Sequence, residues 1–352
     1  MKHKGLILGV LSTTLMTLSL SSCFEILNKS KNPSDKDTND GTVLTFTCGQ
    51  NNNYPVYLRS TSFGDFDYNK KVFKDPDNYD ASLISDGSIN PLSYTAYKLQ
   101  QMKETGVIET GFGFIDYEIT YKNVGDYYPI PECAISSDIN EFVNSDAHYV
   151  IEPADNRLSV KAVYCPAFSA LIDELTKISF PSNIVQDERR YNQYALQHYT
   201  AVPSVYMNIF DEIIAENNWS EGELAQVDSI CAYVSNIGQY NNGGSVIVSR
   251  GEEKLNDPVR GLIENGIGSD FDFNTVATLL FRRLNIPARL VKGYLTANVK
   301  ANQETAITQL NQHYWCEIYV KGTGWMICDC TNTDDIVGEN PYADLVKTAK
   351  KA

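Results

Sequence analysis

Gly268-Ser269-Asp270-Phe271-Asp272-Phe273, then Asn285-Ile286-Pro287-Ala288-Arg289, then His313-Tyr314-Trp315, then Gly324-Trp325-Met326-Ile327-Cys328-Asp329 are the phrases whose reading decides how this chain folds. Ser269 is a good N-cap, and Phe273, Val276, Ala277, Leu280, Phe281 and Leu284 recur at three and four, which predicts a helix over Ser269 to Leu284. His313 starts an alternating run through Tyr314, Trp315, Cys316, Glu317, Ile318, Tyr319 and Val320 that reads as a strand. Trp325 to Asp329 reads as the next strand, so an α+β domain is expected here.

Upstream, Phe168 to Ser179 places Leu171, Ile172, Leu175 and Ile178 on one helical stripe, and Val205 to Ala215 reads the same way. Ser220-Glu221-Gly222-Glu223 reads as a capping box opening a helix through Leu224, Val227, Ile230, Cys231 and Val234. Cys231 on that stripe reads as a buried structural thiol. Tyr240-Asn241-Asn242-Gly243-Gly244 breaks the helix, and Asp257-Pro258-Val259-Arg260-Gly261-Leu262-Ile263 leads into the deciding stretch.

Between residues 42 and 166 the pattern changes to short alternating runs, Val43 to Thr47, Val56 to Thr61 and Ile115 to Tyr121, separated by Asn, Asp, Gly and Pro clusters. These predict antiparallel strands joined by turns, with one inserted helix over Pro91 to Lys103. The expected organisation is a β-rich domain over 42–166, a helical approach and α+β domain over 167–340, and a tail over 341–352.

Residues 1–22 combine Lys2 and Lys4 with an apolar run from Gly5 to Leu20, the pattern of a secretory leader. Leu20-Ser21-Ser22-Cys23 resembles the bacterial lipobox, which implies cleavage before Cys23 and a lipid such as palmitate on that thiol. Residues 23–41 then read as the lipidated cysteine and a polar tether, because too few apolar residues follow Leu27 to order the chain. The expected location is the extracytoplasmic face of the cell membrane, with the membrane as partner through the Cys23 lipid.

The formal charge of −15 becomes −17 when Lys2 and Lys4 leave with the leader, since residues 1–22 hold no acid. So acidic a chain is a poor partner for nucleic acid, where affinity rests on Lys and Arg meeting phosphates. Eight cysteines at 23, 48, 133, 165, 231, 316, 328 and 330 leave seven once Cys23 is lipidated, so at least one thiol is expected free. With no CxxC pair a zinc site is not expected, nor is any cofactor.

The order and spacing of these phrases resemble the transglutaminase-like superfamily, in which Cys, His and Asp act in that chain order. His313-Tyr314-Trp315-Cys316-Glu317-Ile318-Tyr319-Val320 is similar to the family's "H-A-W-V-E-V-Y-V", and Gly324, Trp325, Asp329 and Thr331 match "G-W-x-x-x-D-x-T". Tyr57-Leu58-Arg59-Ser60-Thr61-Ser62-Phe63-Gly64-Asp65-Phe66-Asp67-Tyr68 resembles a stretch preceding the catalytic domain in membrane-anchored members, as does Tyr128-Pro129-Ile130-Pro131. The resemblance implies a papain-like α+β fold, with His313 as general base and Asp329 orienting it. It puts the nucleophile at a helix start, where free amides favour a thiolate. That position holds Asp270.

Three functional expectations follow. The first is a pseudoenzyme that grips a peptide, protein or cell-wall ligand without acyl transfer. The second is an enzyme in which Asp270, Asp272, His313 and Asp329 gather around a divalent metal that activates water for amide hydrolysis. The third is cysteine chemistry by another thiol, which strand alternation disfavours: Cys316 faces opposite to His313, and Cys328 and Cys330 opposite to Asp329. Those thiols are expected in core packing or in a cross-strand disulfide from Cys316. Asp270 is expected within salt-bridge reach of His313.

Overall fold

The computed structural model describes residues 41–52, 55–76, 89–104, 114–135, 147–149, 151, 153–163, 172–241 and 257–331, all within the compact unit that begins at Gly41. The leader, Cys23, the tether, Cys165, Phe168 to Leu171 and the tail lie outside the described residues. None of the described helices is long and apolar enough to cross a membrane.

The early strands are β1 (Thr42–Cys48), β2 (Val56–Ser62), β3 (Phe66–Asp67) and β4 (Val72–Phe73). Helix α1 (Tyr94–Glu104) follows a 3-10 turn at Pro91–Ser93, and then come β5 (Phe114–Tyr121), β6 (Ile130–Pro131) and β7 (Arg157–Val163). Four helices succeed them: α2 (Ile172–Lys177), α3 (Ser182–His198), α4 (Ser204–Asn217) and α5 (Val227–Asn236). After β8 (Gln239–Tyr240) come α6 (Pro258–Asn265), β9 (Ile267–Gly268) and α7 (Asp270–Arg283). The described chain closes with β10 (Ala288–Thr296), β11 (Thr305–Thr308), β12 (Gln312–Val320) and β13 (Gly324–Cys328).

Two larger antiparallel sheets hold nine of these strands, one in the order β11-β1-β5-β7 and one in the order β13-β12-β10-β2-β6, while β3 pairs with β4 and β8 runs parallel to β9. Strands from both sides of residue 166 share each sheet, so the β-rich stretch supplies β2 and β6 to the sheet that carries His313. The strand period of two sorts the five-stranded sheet into two faces. Leu290, Cys316, Ile318, Val320, Met326 and Cys328 join the core beneath the helices, whereas Tyr57, Val291, Trp315 and Ile327 form a separate cluster. Gly293 is required where β2 crosses β10, because a Cβ there would lie 2.1 Å from the Leu58 carbonyl oxygen and 2.7 Å from Trp315.

The central helix is α7, whose residues from Asp272 to Arg282 are all buried. A helix buried all round must pack on every side, and it lies against β10, β12 and three other helices. The expected capping box at Ser220 is absent. Gly222 has φ +73, outside the helical range, and its N–H donates to the Leu284 carbonyl at 2.8 Å. Ser220 N–H instead donates to Gln226 Oε1 at 2.8 Å, and α5 starts only at Val227. Helix α3 was not anticipated from the apolar pattern, because its buried face, Ile184, Asp187, Glu188, Tyr191 and Ala195, includes two carboxylates.

Three charged side chains hold β2, β10 and β12 together. Glu317 pairs with Arg289 at 2.9 Å and with Arg59, which also donates to Glu132 at 2.7 Å. Burial pushes the Glu317 carboxyl up, but the two guanidinium groups reverse this and hold it at about 2. Removing one member of such a buried set leaves uncompensated charge, so Glu317→Ala should cost roughly 3–5 kcal/mol. The exposed Lys161–Asp116 pair should contribute no more than about 1 kcal/mol. Urea unfolding checks this contrast, with the midpoint expected to fall sharply for Glu317→Ala and barely for Lys161→Ala.

Candidate functional site

The N-terminus of α7 is built by two aspartates with different tasks. Asp272 Oδ2 accepts Ser269 N–H at 2.8 Å and Ser269 Oγ at 3.0 Å, so Asp272 closes the first turn. Asp270 is free of that duty and reaches to β12. Its Oδ2 accepts Tyr314 N–H at 2.8 Å and lies 3.1 Å from His313 Nδ1, while its Oδ1 accepts Phe271 N–H at 2.9 Å. A carboxylate at this place also meets the positive end of the helix.

His313 enters from β12 on the same sheet face as Trp315, the two rings stacked at 19° with centroids 6.3 Å apart. Its Nε2 lies 2.7 Å from Asp329 Oδ2, just past the end of β13. That oxygen also accepts the Tyr57 hydroxyl at 2.8 Å, and Asp329 Oδ1 accepts Thr331 N–H at 3.0 Å. Each imidazole nitrogen therefore faces a carboxylate oxygen, an arrangement that suits a proton on both nitrogens. Burial disfavours the imidazolium, with the residue only 2% exposed, yet Asp329 and Asp270 outweigh it and raise the pKa to about 10. The same cation holds the Asp329 carboxyl below its ordinary value against burial.

Asn274, one turn into α7, ties these pieces together and was not anticipated from the sequence. Its Oδ1 accepts the N–H groups of Cys316 at 3.1 Å and Cys330 at 3.0 Å. Its Nδ2 lies 2.9 Å from the Tyr314 carbonyl, 2.8 Å from Thr331 Oγ1 and 3.2 Å from Asp329 Oδ1. The available signal was an amide set within an otherwise apolar stripe one turn after Asp270. Tyr57 was also missed as a site residue, since a strand far upstream says nothing of its register against β10.

The structure brings Asp270, His313 and Asp329 together and leaves Asp272 in the helix cap. Among the described residues no group of three or more His, Cys, Asp or Glu is arranged to hold a metal. Cys316, Cys328 and Cys330 are buried in the core on the α7 side of the sheet, as free thiols. They point away from His313, as alternation predicts.

Residues 212–330 match the family model of the transglutaminase-like superfamily. Over 89% of this chain and 93% of its own, the periplasmic domain of TgpA from Pseudomonas aeruginosa superposes with a TM-score of 0.50 at 12% identity, a likeness of fold. Residues 212–330 form a transglutaminase-like domain. An uncharacterized protein, YebA, from Bacillus subtilis (strain 168) is 25% identical over 165 residues, 46% of this chain. The aligned part spans 21% of that relative's length.

Within the transglutaminase-like domain the imidazolium clamp has a defined pH signature. The folded pKa of about 10 exceeds the ordinary 6.5, so the clamp's contribution to stability is complete below about pH 6.5. It is lost as pH rises through about 10. Nitrogen-detected NMR should show His313 doubly protonated at pH 8, and Asp270→Asn should bring its titration down toward the ordinary range.

Proposed function

We propose that this chain is an exported lipoprotein whose transglutaminase-like domain binds a peptide or cell-wall fragment without acyl transfer. The observation that carries the reading is His313 held between Asp270 and Asp329 at 3.1 and 2.7 Å. Thiol-based acyl transfer needs a thiolate and a neutral base that can take up a proton. Here the nucleophile position carries a carboxylate whose Oδ2 already accepts the Tyr314 amide, and the imidazole has no lone pair to offer. Asp270 thus replaces a reactive pair with a fixed ion pair.

Retention of the surrounding frame supports a binding role. Phe271 and Tyr314 flank Asp270, half-buried and packed edge to face at 5.3 Å, as apolar surface beside the charged cluster. The leader pattern, the Leu20-Ser21-Ser22-Cys23 phrase and the periplasmic origin of the TgpA domain support an extracytoplasmic, lipid-anchored placement. The acidic balance supports a partner other than nucleic acid.

Incubated with a panel of peptide and amide substrates, the full chain should release no product, and His313→Ala should behave as the parent does. Turnover that His313→Ala abolishes would overturn the reading. Anchoring is tested separately: Cys23→Ser should lose incorporation of a palmitate analogue and leave the membrane fraction.

A further inference from the structure

Cys231, Cys328 and Cys330 meet behind the site, on the side of the sheet that the ion pairs do not use. Cys231 belongs to α5, Cys328 ends β13, and Cys330 lies two residues on, so Asp329 sits between two of the three thiols. The Cys231 side chain packs against the core cluster that holds Cys328 and Cys330 and interacts with both thiols, while Cys330 Sγ–H donates to the Cys328 carbonyl at 3.5 Å. One turn along α5, Ser235 Oγ donates to the Cys330 carbonyl at 2.9 Å, which holds the helix against this segment. Cys316 is paired with Cys328 in the ladder, but its Sγ–H is directed at the Glu317 carbonyl at 3.7 Å.

The three sulfurs are not equivalent. Cys231 is half-buried, whereas Cys328 and Cys330 are 3% and 0% exposed. The neighbouring Cys328 and Cys330 thiols pull the Cys231 thiol down to about 5, although burial opposes this. Burial and the Cys231 contact push Cys328 and Cys330 up, so they remain S–H donors. Cys231 has the thiolate character and its two neighbours hold the protons, which suits attack by Cys231 followed by closure onto it.

We propose that Cys231 is a redox-active thiol that closes an intrachain disulfide with Cys328 or Cys330, the two cysteines flanking Asp329. The co-reactant is a small-molecule or protein disulfide. The Cys231 thiolate attacks one sulfur of that disulfide, forming a mixed disulfide and expelling one thiolate. Cys328 or Cys330 then gives its proton to solvent or to the expelled thiolate and attacks Cys231 Sγ, expelling the second thiolate. Two protein thiols are oxidised and one external disulfide is reduced to two thiols. The bridge ties α5 to the segment that presents Asp329 to His313, and it arises from the thiol geometry alone, independently of any binding role.

Oxidised glutathione, followed by alkylation and tryptic mapping without reduction, tests this on the full chain. Cleavage at Lys and Arg separates residues 191–250, with Cys231, from 301–321, with Cys316, and from 322–347, with Cys328 and Cys330. The expected product joins 191–250 to 322–347, two hydrogens lighter than the reduced pair, and reductant reverses it. Cys231→Ser and Cys231→Ala, each checked for folding by circular dichroism, should leave the other two thiols alkylatable. Recovery of Cys231 alkylated, a lasting glutathione adduct on it, or a link from 301–321 to 322–347 in its place would overturn the proposal.

Discussion

A buried imidazolium is costly to keep away from water, and here two carboxylates delivered from opposite directions make it tolerable. Asp270 comes from the start of α7 and Asp329 from the end of β13, so the charge on His313 is stable only when helix and sheet are docked in register. Asn274 enforces that register by bonding the backbone of β12 and the segment after β13 from one amide. The site and the fold are therefore the same interaction seen at two scales.

The opposite end of the same sheet face is fixed by a second charged cluster. Tyr57 and Arg59 lie two residues apart on β2, so both point to one face: Tyr57 reaches Asp329 and Arg59 reaches Glu317. Arg289, from Asn285-Ile286-Pro287-Ala288-Arg289, meets Glu317 from β10 and stacks over Trp325 at 3.8 Å. An upstream strand thus completes a site whose other residues lie more than two hundred positions later. This explains why the β-rich stretch and the transglutaminase-like domain share a sheet.

The thiols follow the division between faces. Charged groups occupy the side with His313, Trp315 and Glu317, while Cys316, Cys328 and Cys330 occupy the side packed on α7 and α5. Alternation alone accounts for this, because Asp329 lies between two cysteines and must turn away from both. The thiols and the His313 ion pairs are separated by the thickness of one strand.

By itself the sequence determined what local periodicity and spacing can carry. Ser269 and its apolar repeat specified α7, the run from His313 to Val320 specified β12, and their order with Asp329 indicated the transglutaminase-like fold and the meeting of Asp270 with His313. Local rules misled where a buried face was polar, as in α3, and where one glycine defeated a cap, as at Gly222. Only the tertiary structure decided that Tyr57 and Asn274 belong to the site, that Asp272 does not, and that Cys231 meets the cysteines flanking Asp329. Those outcomes depend on strand register and helix docking across long separations, which are set by the packing of whole faces and which no short stretch of chain specifies.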